Sequence, residues 1–126
     1  MEESPCFHDK KILVVDDEEL NFLMIKDALE DSCVNVTWAR VGQEAIDLVE
    51  SGEQYDIILM DMSMPVLDGY ETTARIKKIN SSIPVIAQTA YSQPEDEAKC
   101  MEAGCDDYLS KPVSIDELLE KIRKHL

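Results

Sequence analysis

Short apolar runs and segments with helical periodicity alternate along the chain. Five runs are rich in aliphatic and aromatic residues: residues 12–15, 34–38, 57–60, 85–87 and 108–109. Most of them are continuous in apolar residues rather than alternating, which is typical of strands covered on both faces in a parallel sheet. The pattern therefore predicts five strands of one parallel sheet.

The segments that separate and follow these runs have the spacing of amphipathic helices. The last is the clearest, with one apolar stripe at i, i+3, i+4 and i+7: Ile115, Leu118, Leu119 and Ile122. Ser114 and Glu117 form a capping-box pattern at its start. Basic residues among 121–125 suit the negative end of the helix dipole. These signals predict both ends of the fifth helix.

Two other helices have recognisable boundaries. The second has an apolar stripe of four residues: Val41, Ala45, Leu48 and Val49. Gly52 marks its expected end, because glycine readily takes the left-handed conformation that follows many helices. Ser92, Pro94 and Glu95 have the composition of a helix start and are expected to open the fourth helix.

Strict alternation of five strands with five helices predicts a doubly wound α/β fold of the flavodoxin-like type. Parallel neighbours need crossover connections, and right-handed crossovers place helices on both faces of the sheet. Sheets of this kind carry their functional groups in the loops after the carboxyl ends of the strands. We therefore expect the chemistry of this protein where its strands end.

The size and composition fit one globular domain. A single core is built from roughly 100 to 150 residues, and this chain has 126, of which 44% are hydrophobic. We expect the domain over residues 10–126 and a flexible lead-in over 1–9. The net charge of −15 opposes contact with a phosphate backbone, so we predict no direct binding of nucleic acid.

Cysteine spacing and hydropathy bear on the compartment. The four cysteines, at positions 6, 33, 100 and 105, form no CxxC pair, no regular framework and no zinc-ligand spacing. No apolar run approaches the roughly 20 residues that span a bilayer, and no signal segment precedes the cysteines. We expect a reduced, cytoplasmic domain without membrane contact, whatever the anchoring of its parent chain.

Polar side chains follow four of the predicted strands. Asp16 and Asp17 follow the first strand, Asp61 the third, Thr89 the fourth and Lys111 the fifth. A single acid after a strand is most often a helix cap, but carboxylates from two strand ends in one crevice repel each other unless a cation neutralises them. Mg²⁺ suits such oxygen ligands, and Mn²⁺ would also fit. Lys111 would supply a positive partner for a phosphate group.

These residues, in this order, resemble the conserved blocks of response-regulator receiver domains of two-component systems. The matching segments are residues 14–18 (VVDDE), 61–69 (DMSMPVLDG), 89–90 (TA) and 111–112 (KP). The resemblance implies a signalling domain that takes a phosphoryl group in a magnesium-dependent reaction, and not an enzyme. Its expected partner is a histidine kinase or a histidine phosphotransfer domain.

The resemblance also assigns the acceptor and the metal ligands. It makes Asp61 the phosphoacceptor. Asp17 and Asp61 would bind the metal directly, Asp16 mainly through water, and Ser63 through its backbone carbonyl. Four groups would contact the phosphoryl oxygens: the side chains of Thr89 and Lys111, Ala90, and the backbone amide of Met62.

Switching residues follow from the same resemblance. Thr89 would move toward the phosphoryl group, Tyr108 would turn inward behind it, and the surface of the fourth helix, fifth strand and fifth helix would repack. The Lys111–Pro112 bond resembles the cis peptide of the family. Ser63 and Tyr91, each two residues after a site residue, are expected to tune the lifetime of the phosphoryl group, with the Tyr91 ring screening it from water.

Other conspicuous residues are interpreted as packing residues. Trp38, at the end of the second strand, is expected to pack against a helix rather than bind a ligand. Met60, Met62 and Met64 are expected to pack around the acceptor. Cys105 would fill a small apolar position.

Three other readings of the sequence are weighed against the receiver. A haloacid-dehalogenase-like phosphatase needs an aspartate two positions after the nucleophile, where this chain has Ser63. A flavodoxin needs a phosphate-cradling loop after its first strand, where residues 16–19 are all acidic. A degenerate receiver that only docks is disfavoured because every expected site residue is present.

The origin and assembly of the domain are more open. Residues 64–71 and 88–91 favour a receiver taken from a hybrid sensor kinase over a single-domain regulator. A monomer and a weak homodimer are both compatible with the sequence.

Overall fold

The computed structural model describes residues 10–64, 66–90 and 94–126. The expected lead-in over 1–9, Tyr91, and Ser92 of the predicted start of the fourth helix therefore lie outside the described residues. The predicted fold is confirmed: one five-stranded parallel sheet has the order β2-β1-β3-β4-β5. The strands are β1 (Lys11–Val15), β2 (Asn35–Ala39), β3 (Ile57–Asp61), β4 (Val85–Thr89) and β5 (Asp107–Ser110).

Helices follow the strands in alternation. Within the described ranges they are α1 (Glu19–Ala28), α2 (Gly42–Glu50), α3 (Gly69–Ile79), α4 (Pro94–Ala103) and α5 (Ile115–His125). The strand order reverses between β1 and β3, because the chain first builds outward to β2 and then crosses back to β3. The carboxyl ends of β1 and β3 therefore border the crevice in which sheets of this type carry their sites.

Both faces of the sheet are covered by apolar cores. Along β1, Leu13 and Val15 belong to the core on one face, and Ile12 and Val14 to the core on the other. All five residues of β3 are buried. Each aliphatic side chain removed from water contributes about 1.5–3 kcal/mol, so the central strands hold the site edge rigidly.

The fifth helix forms as the sequence predicts. Ser114 caps it, with the hydroxyl accepting a hydrogen bond from the Glu117 N–H at 3.4 Å. Leu118 and Ile122 are fully buried against the sheet. The apolar stripe of this helix therefore forms part of the core.

The predicted stripe of the second helix is wrong at its first residue. Val41 has an extended backbone, precedes α2 as its N-cap and is 46% exposed. The helix begins at Gly42, where an added Cβ would come within 2.2 Å of the Thr72 hydroxyl oxygen of α3. Ile46, which the predicted stripe omits, is buried together with Ala45 and Val49.

Two of the buried core residues are cysteines. Cys100 and Cys105 are 1% and 4% exposed and lie in the core that α3 and α4 share with the sheet. Both are free thiols, as is Cys33. Burial raises the pKa of the Cys105 thiol to about 12, so it packs as a small apolar residue, as predicted.

Asp107 ties the start of β5 to the end of α5 and makes folding depend on pH. Its carboxylate accepts hydrogen bonds from Lys121 Nζ at 2.6 Å, from His125 Nε2 at 3.1 Å and from the Tyr108 N–H at 2.9 Å. Burial would raise the pKa of Asp107, but these partners outweigh burial and lower it to about 2. The carboxylate thus stabilises the folded state above its unfolded pKa of about 3.8.

We expect that stabilisation to disappear as the pH falls from about 4 to about 2. At pH 7 the free energy of unfolding measured in urea should be lower for Asp107→Asn than for the wild type, and the two values should converge across this window. Asp27→Asn, which changes an exposed acid on α1, is the matched control. If the difference in unfolding free energy between wild type and Asp107→Asn stays constant over this window, the assignment is contradicted.

Candidate functional site

Three carboxylates converge at the carboxyl edge of the sheet. Asp16 and Asp17 follow β1, and Asp61 is the last residue of β3, which pairs with β1 in parallel. One carboxylate oxygen from each of the three lies within 4.8 Å of the others. Asp16 is fully buried and Asp61 is 2% exposed, whereas Asp17 is open to solvent.

The cluster disfavours its own negative charge. Burial raises the pKa of Asp16, and the charge of Asp61 adds to it, against hydrogen bonds from the Glu18 N–H and Asn21. Asp17 is exposed as a residue, but its carboxyl group is partly desolvated, and this desolvation together with the charge of Asp61 raises its pKa. A cation between the three carboxylates would remove this repulsion. An all-oxygen set with one solvent-facing member fits a hard divalent ion such as Mg²⁺, which retains several waters.

Lys111 supplies the positive charge opposite the acids. Its Nζ lies 3.0 Å from Asp61 Oδ1, and its side chain is 22% exposed. The Ser63 N–H donates to the same Oδ1 at 3.1 Å. The predicted cis peptide between Lys111 and Pro112 is confirmed. Oδ1 of Asp61 therefore accepts hydrogen bonds from two donors, Lys111 Nζ and the Ser63 N–H, and Oδ2 accepts neither of these bonds.

The expectation for the Met62 amide needs correction. The Met62 N–H donates to the Gln88 carbonyl oxygen at 3.0 Å, which continues the ladder between β3 and β4 one residue beyond Asp61. This amide is therefore occupied within the sheet. The Ser63 N–H, already directed at Asp61, is the backbone donor that the geometry offers to a group bound there.

The remaining predicted residues take the following places. Thr89 ends β4 and is 3% exposed, and Ala90 after it is exposed. Tyr108 on β5 is half-buried, with Lys121 Nζ 5.6 Å from its ring centroid. Tyr91, expected to tune the phosphoryl lifetime, lies outside the described residues.

The loop after Asp61 is built around Gly69. A Cβ at Gly69 would lie 2.4 Å from the Asp61 carbonyl oxygen and 2.5 Å from the Met62 sulfur. Only glycine thus lets α3 start directly against the acceptor strand. Asp68 caps that start by accepting the Glu71 N–H at 2.9 Å. These contacts explain the Asp-Gly pair at 68–69 in structural terms.

Methionines pack around the acceptor as predicted. Met60, Met62 and Met64 are 0%, 3% and 6% exposed and belong to one core. Flexible thioethers adapt well to irregular packing in a core. The residues on either side of Asp61 in the chain, Met60 and Met62, are therefore both buried and apolar.

Val66 in the same loop is strained. It is fully exposed and has φ of +67°, in the left-handed region that costs an L-residue roughly 1–2 kcal/mol.

Val66→Gly should stabilise the fold by about 0.5–1 kcal/mol, because relief of strain exceeds the entropy gained by the unfolded chain. Urea unfolding checks this value, and Val66→Ala, which keeps a Cβ at the same positive φ, should gain much less stability. A loss of stability in Val66→Gly would refute the strain.

Two residues near Asp16 were not predicted as site residues. Trp38 Nε1 donates to the Asp16 carbonyl oxygen at 2.8 Å, and the ring stacks on Phe22 with centroids 4.6 Å apart. The packing role predicted for Trp38 is thus confirmed, with an added bond to the site. Asn21 donates through its amide to Asp16 Oδ2. No motif in the sequence marks either contact.

Comparison with known proteins identifies relatives over nearly the whole chain. The model of a family described as the response regulator receiver domain matches residues 12–123. The polar-differentiation response regulator DivK of Brucella anthropi is 37% identical over 119 residues, which cover 93% of this chain and 96% of DivK.

Solved structures agree with these matches. The receiver domain of the sensor histidine kinase PA1611 of Pseudomonas aeruginosa, which has a magnesium ion coordinated in its active-site cleft, is 36% identical with a TM-score of 0.84; the match covers 92% of this chain and 96% of that one. The co-crystal structure of the Saccharomyces cerevisiae phosphotransfer protein Ypd1 with the receiver domain of Ssk1 gives 27% identity, a TM-score of 0.87 and coverage of 94% and 90%.

Proposed function

The chain belongs to the response regulator receiver domain family of two-component systems, and on this premise we propose that Asp61 accepts a phosphoryl group in a Mg²⁺-dependent reaction. One observation carries the proposal. Asp61, buried at the carboxyl edge of the sheet, lies between Lys111 Nζ at 3.0 Å and the carboxylates of Asp16 and Asp17. An acceptor needs both neighbours, because one balances phosphate charge and the other offers oxygen ligands to a metal.

Attack by Asp61 is an in-line displacement at phosphorus. We assign the attack to Oδ2, because Oδ1 is held by Lys111 and the Ser63 N–H. A bond forms from Oδ2 to phosphorus. The bond from phosphorus to the donor breaks, and its electron pair leaves with the donor, an imidazole nitrogen of phosphohistidine or an oxygen of acetyl phosphate. Lys111 offsets the charge that collects on the phosphoryl oxygens.

Asp16, Asp17, Asp61 and the backbone carbonyl of Ser63 would hold the metal. When bound, Mg²⁺ supplies charge neutralisation between the acceptor and the incoming anion. The role of the protein is to keep the carboxylates convergent and one side open to solvent, which Asp17 provides. Mn²⁺ fits the same oxygen ligands.

The donor in this proposal is a phosphohistidine on a histidine kinase or a histidine phosphotransfer protein. The Ssk1 receiver, to which this chain is similar, was crystallised with such a phosphotransfer protein. DivK is a response regulator and PA1611 a sensor histidine kinase, at 37% and 36% identity. The relatives thus include both classes, and the origin from a hybrid kinase stays a prediction.

We further propose a signalling role without enzymatic turnover. A phosphatase of the haloacid dehalogenase type would need an acid at position 63, and Ser63 has no carboxylate. The net charge of −15 speaks against nucleic acid as a partner. No helix among the described residues is long and apolar enough to cross a membrane. A cytoplasmic monomer or weak homodimer is the setting that we propose.

Switching would start from the charge that phosphorylation adds, about −1.5 to −2. Thr89 lies at the end of β4 next to the acceptor strand, and Ala90 follows it at the rim. We propose that both contact the phosphoryl group and that Tyr108 turns inward when Thr89 moves. The tuning roles of Ser63 and Tyr91 stay predictions.

Intact-mass measurement after incubation with acetyl phosphate and Mg²⁺ tests the proposed function. We expect one phosphoryl adduct on the wild type and none with excess EDTA. Release of p-nitrophenol from p-nitrophenyl phosphate should be absent. A folded protein that takes no phosphoryl group from acetyl phosphate or from a phosphorylated histidine phosphotransfer protein would refute the proposal.

A further inference from the structure

Asp16 is held on both of its oxygens by donors from α1 and the turn before it. The Glu18 N–H donates to Oδ1 at 2.9 Å, and Asn21 Nδ2 donates to Oδ2. Asp16 itself is 0% exposed. Its carboxylate is thus fixed in orientation by two donors within the protein.

The Asn21 amide reaches a second strand as well. Its Nδ2 lies 3.4 Å from Oε1 of Gln88 on β4, and Gln88 is paired in register with Asp61 on β3. Asn21 therefore connects the metal-binding end of β1 to the strand that ends in Thr89. The two amide side chains lie 67 positions apart in the sequence.

Gln88 is an unusual residue for a central strand. It is 0% exposed, and its Nε2 has no hydrogen-bond partner among the described residues. An unpaired buried amide costs stability, and an apolar residue of similar shape would avoid that cost. Among the described residues, its side chain makes one polar contact, the one to Asn21.

We propose that Asn21 is a positioning residue of the metal site and that Gln88 holds Asn21 in place. The inference rests on the proposed binding of Mg²⁺ by Asp16, Asp17 and Asp61. A residue that hydrogen-bonds to a metal-binding side chain fixes the orientation of that side chain before the metal binds. Loss of such a residue typically weakens metal affinity about 10- to 100-fold. Asn21 acts on the reaction through Asp16 and has no contact with the reacting atoms.

Trp38 provides a reporter for the test. Its indole N–H donates to the Asp16 carbonyl oxygen at 2.8 Å, and it is the only tryptophan in the chain. Fluorescence of Trp38, with isothermal titration calorimetry alongside it, measures Mg²⁺ binding directly. Neither measurement depends on phosphorylation activity.

In Asn21→Ala we expect the dissociation constant for Mg²⁺ to rise about 10- to 100-fold. The phosphorylation rate with acetyl phosphate should return to within about threefold of wild type at saturating Mg²⁺. The urea midpoint in EDTA should fall only slightly, because alanine favours the helix while Asp16 Oδ2 loses one donor. Asn35→Ala, at an exposed asparagine on β2, is the matched control and should bind Mg²⁺ as the wild type does.

Gln88→Met adds a test of the second contact. It should weaken Mg²⁺ binding less than Asn21→Ala does, and the double variant should bind no more weakly than Asn21→Ala alone, since both changes act through one contact. In the metal-free protein, the side-chain amide protons of Asn21 should exchange slowly in wild type and faster in Gln88→Met.

The outcomes separate this inference from the proposed function. A wild type that shows no Mg²⁺ binding by fluorescence or calorimetry overturns the metal site itself. A wild type that binds Mg²⁺ together with an Asn21→Ala variant of equal affinity overturns only the positioning role. An Asn21→Ala variant whose phosphorylation rate does not recover at saturating Mg²⁺ would show a structural role instead.

Discussion

Asparagine in place of Asp61 should abolish phosphorylation by acetyl phosphate and leave the domain folded. An amide oxygen is a far weaker nucleophile than a carboxylate, so no bond to phosphorus forms under conditions that modify the wild type completely. The substitution keeps the shape of a side chain that is only 2% exposed. Intact mass should show no adduct in this variant at any Mg²⁺ concentration.

The stability of Asp61→Asn should not fall, although loss of an ion pair usually lowers stability. Loss of one partner of a buried pair is normally costly, and Asp61 pairs with Lys111 at 3.0 Å. The charge of Asp61, however, also contributes to raising the pKa of Asp16 and Asp17, and its removal relieves that repulsion. Lys111 keeps access to solvent and to the remaining acids.

We therefore expect a urea midpoint for Asp61→Asn in EDTA equal to or above that of the wild type. Added Mg²⁺ should stabilise the wild type, since a ligand that binds only the folded state shifts unfolding, and should stabilise the variant much less. Asp27→Asn, an exposed acid on α1, should behave as wild type in both measurements. An adduct on Asp61→Asn, mapped by hydroxylamine cleavage to another carboxylate, would move the acceptor and contradict the assignment.

The sequence predicts the sheet and the acid cluster well because both depend on local patterns. Continuous apolar runs identify the strands, and a parallel sheet brings all their carboxyl ends to one edge. Asp16, Asp17, Asp61 and Lys111 meet there as expected. The strand ends differ from prediction by one or two residues, because ladder hydrogen bonds extend past the apolar run, as at Asp61.

What the sequence does not predict depends on contacts between distant residues. Asn21 and Gln88 each look like ordinary polar residues, and only their approach across two strands gives them a shared role. Trp38 was predicted to pack, but its bond to the Asp16 carbonyl requires the turn after β1 to be placed. The Met62 amide was misassigned because its partner, the Gln88 carbonyl, depends on strand register.

Methionine in place of Lys111 should lower the phosphorylation rate about 10²- to 10³-fold, the range for losing one donor to developing negative charge. Methionine has nearly the length of lysine and no charge, so the change isolates the ammonium group. The rate with acetyl phosphate, measured by intact mass at saturating Mg²⁺, checks this value. Lys78→Met, at an exposed lysine on α3, is the matched control and should leave the rate unchanged.

Mg²⁺ affinity should change in the other direction. Lys111 Nζ lies 3.0 Å from Asp61 Oδ1, so its positive charge opposes a cation at the same carboxylate. Two unit charges about 4 Å apart interact by about 1 kcal/mol in water, and a divalent ion with one unit charge by about 2 kcal/mol, so removal of the ammonium should tighten Mg²⁺ binding up to about 30-fold. A variant that binds Mg²⁺ more tightly and accepts phosphate more slowly would separate the role of Lys111 from that of the metal. Parallel losses of Mg²⁺ affinity and rate would instead mean that Lys111 supports the carboxylate cluster itself, and its direct role toward the phosphoryl group would be refuted.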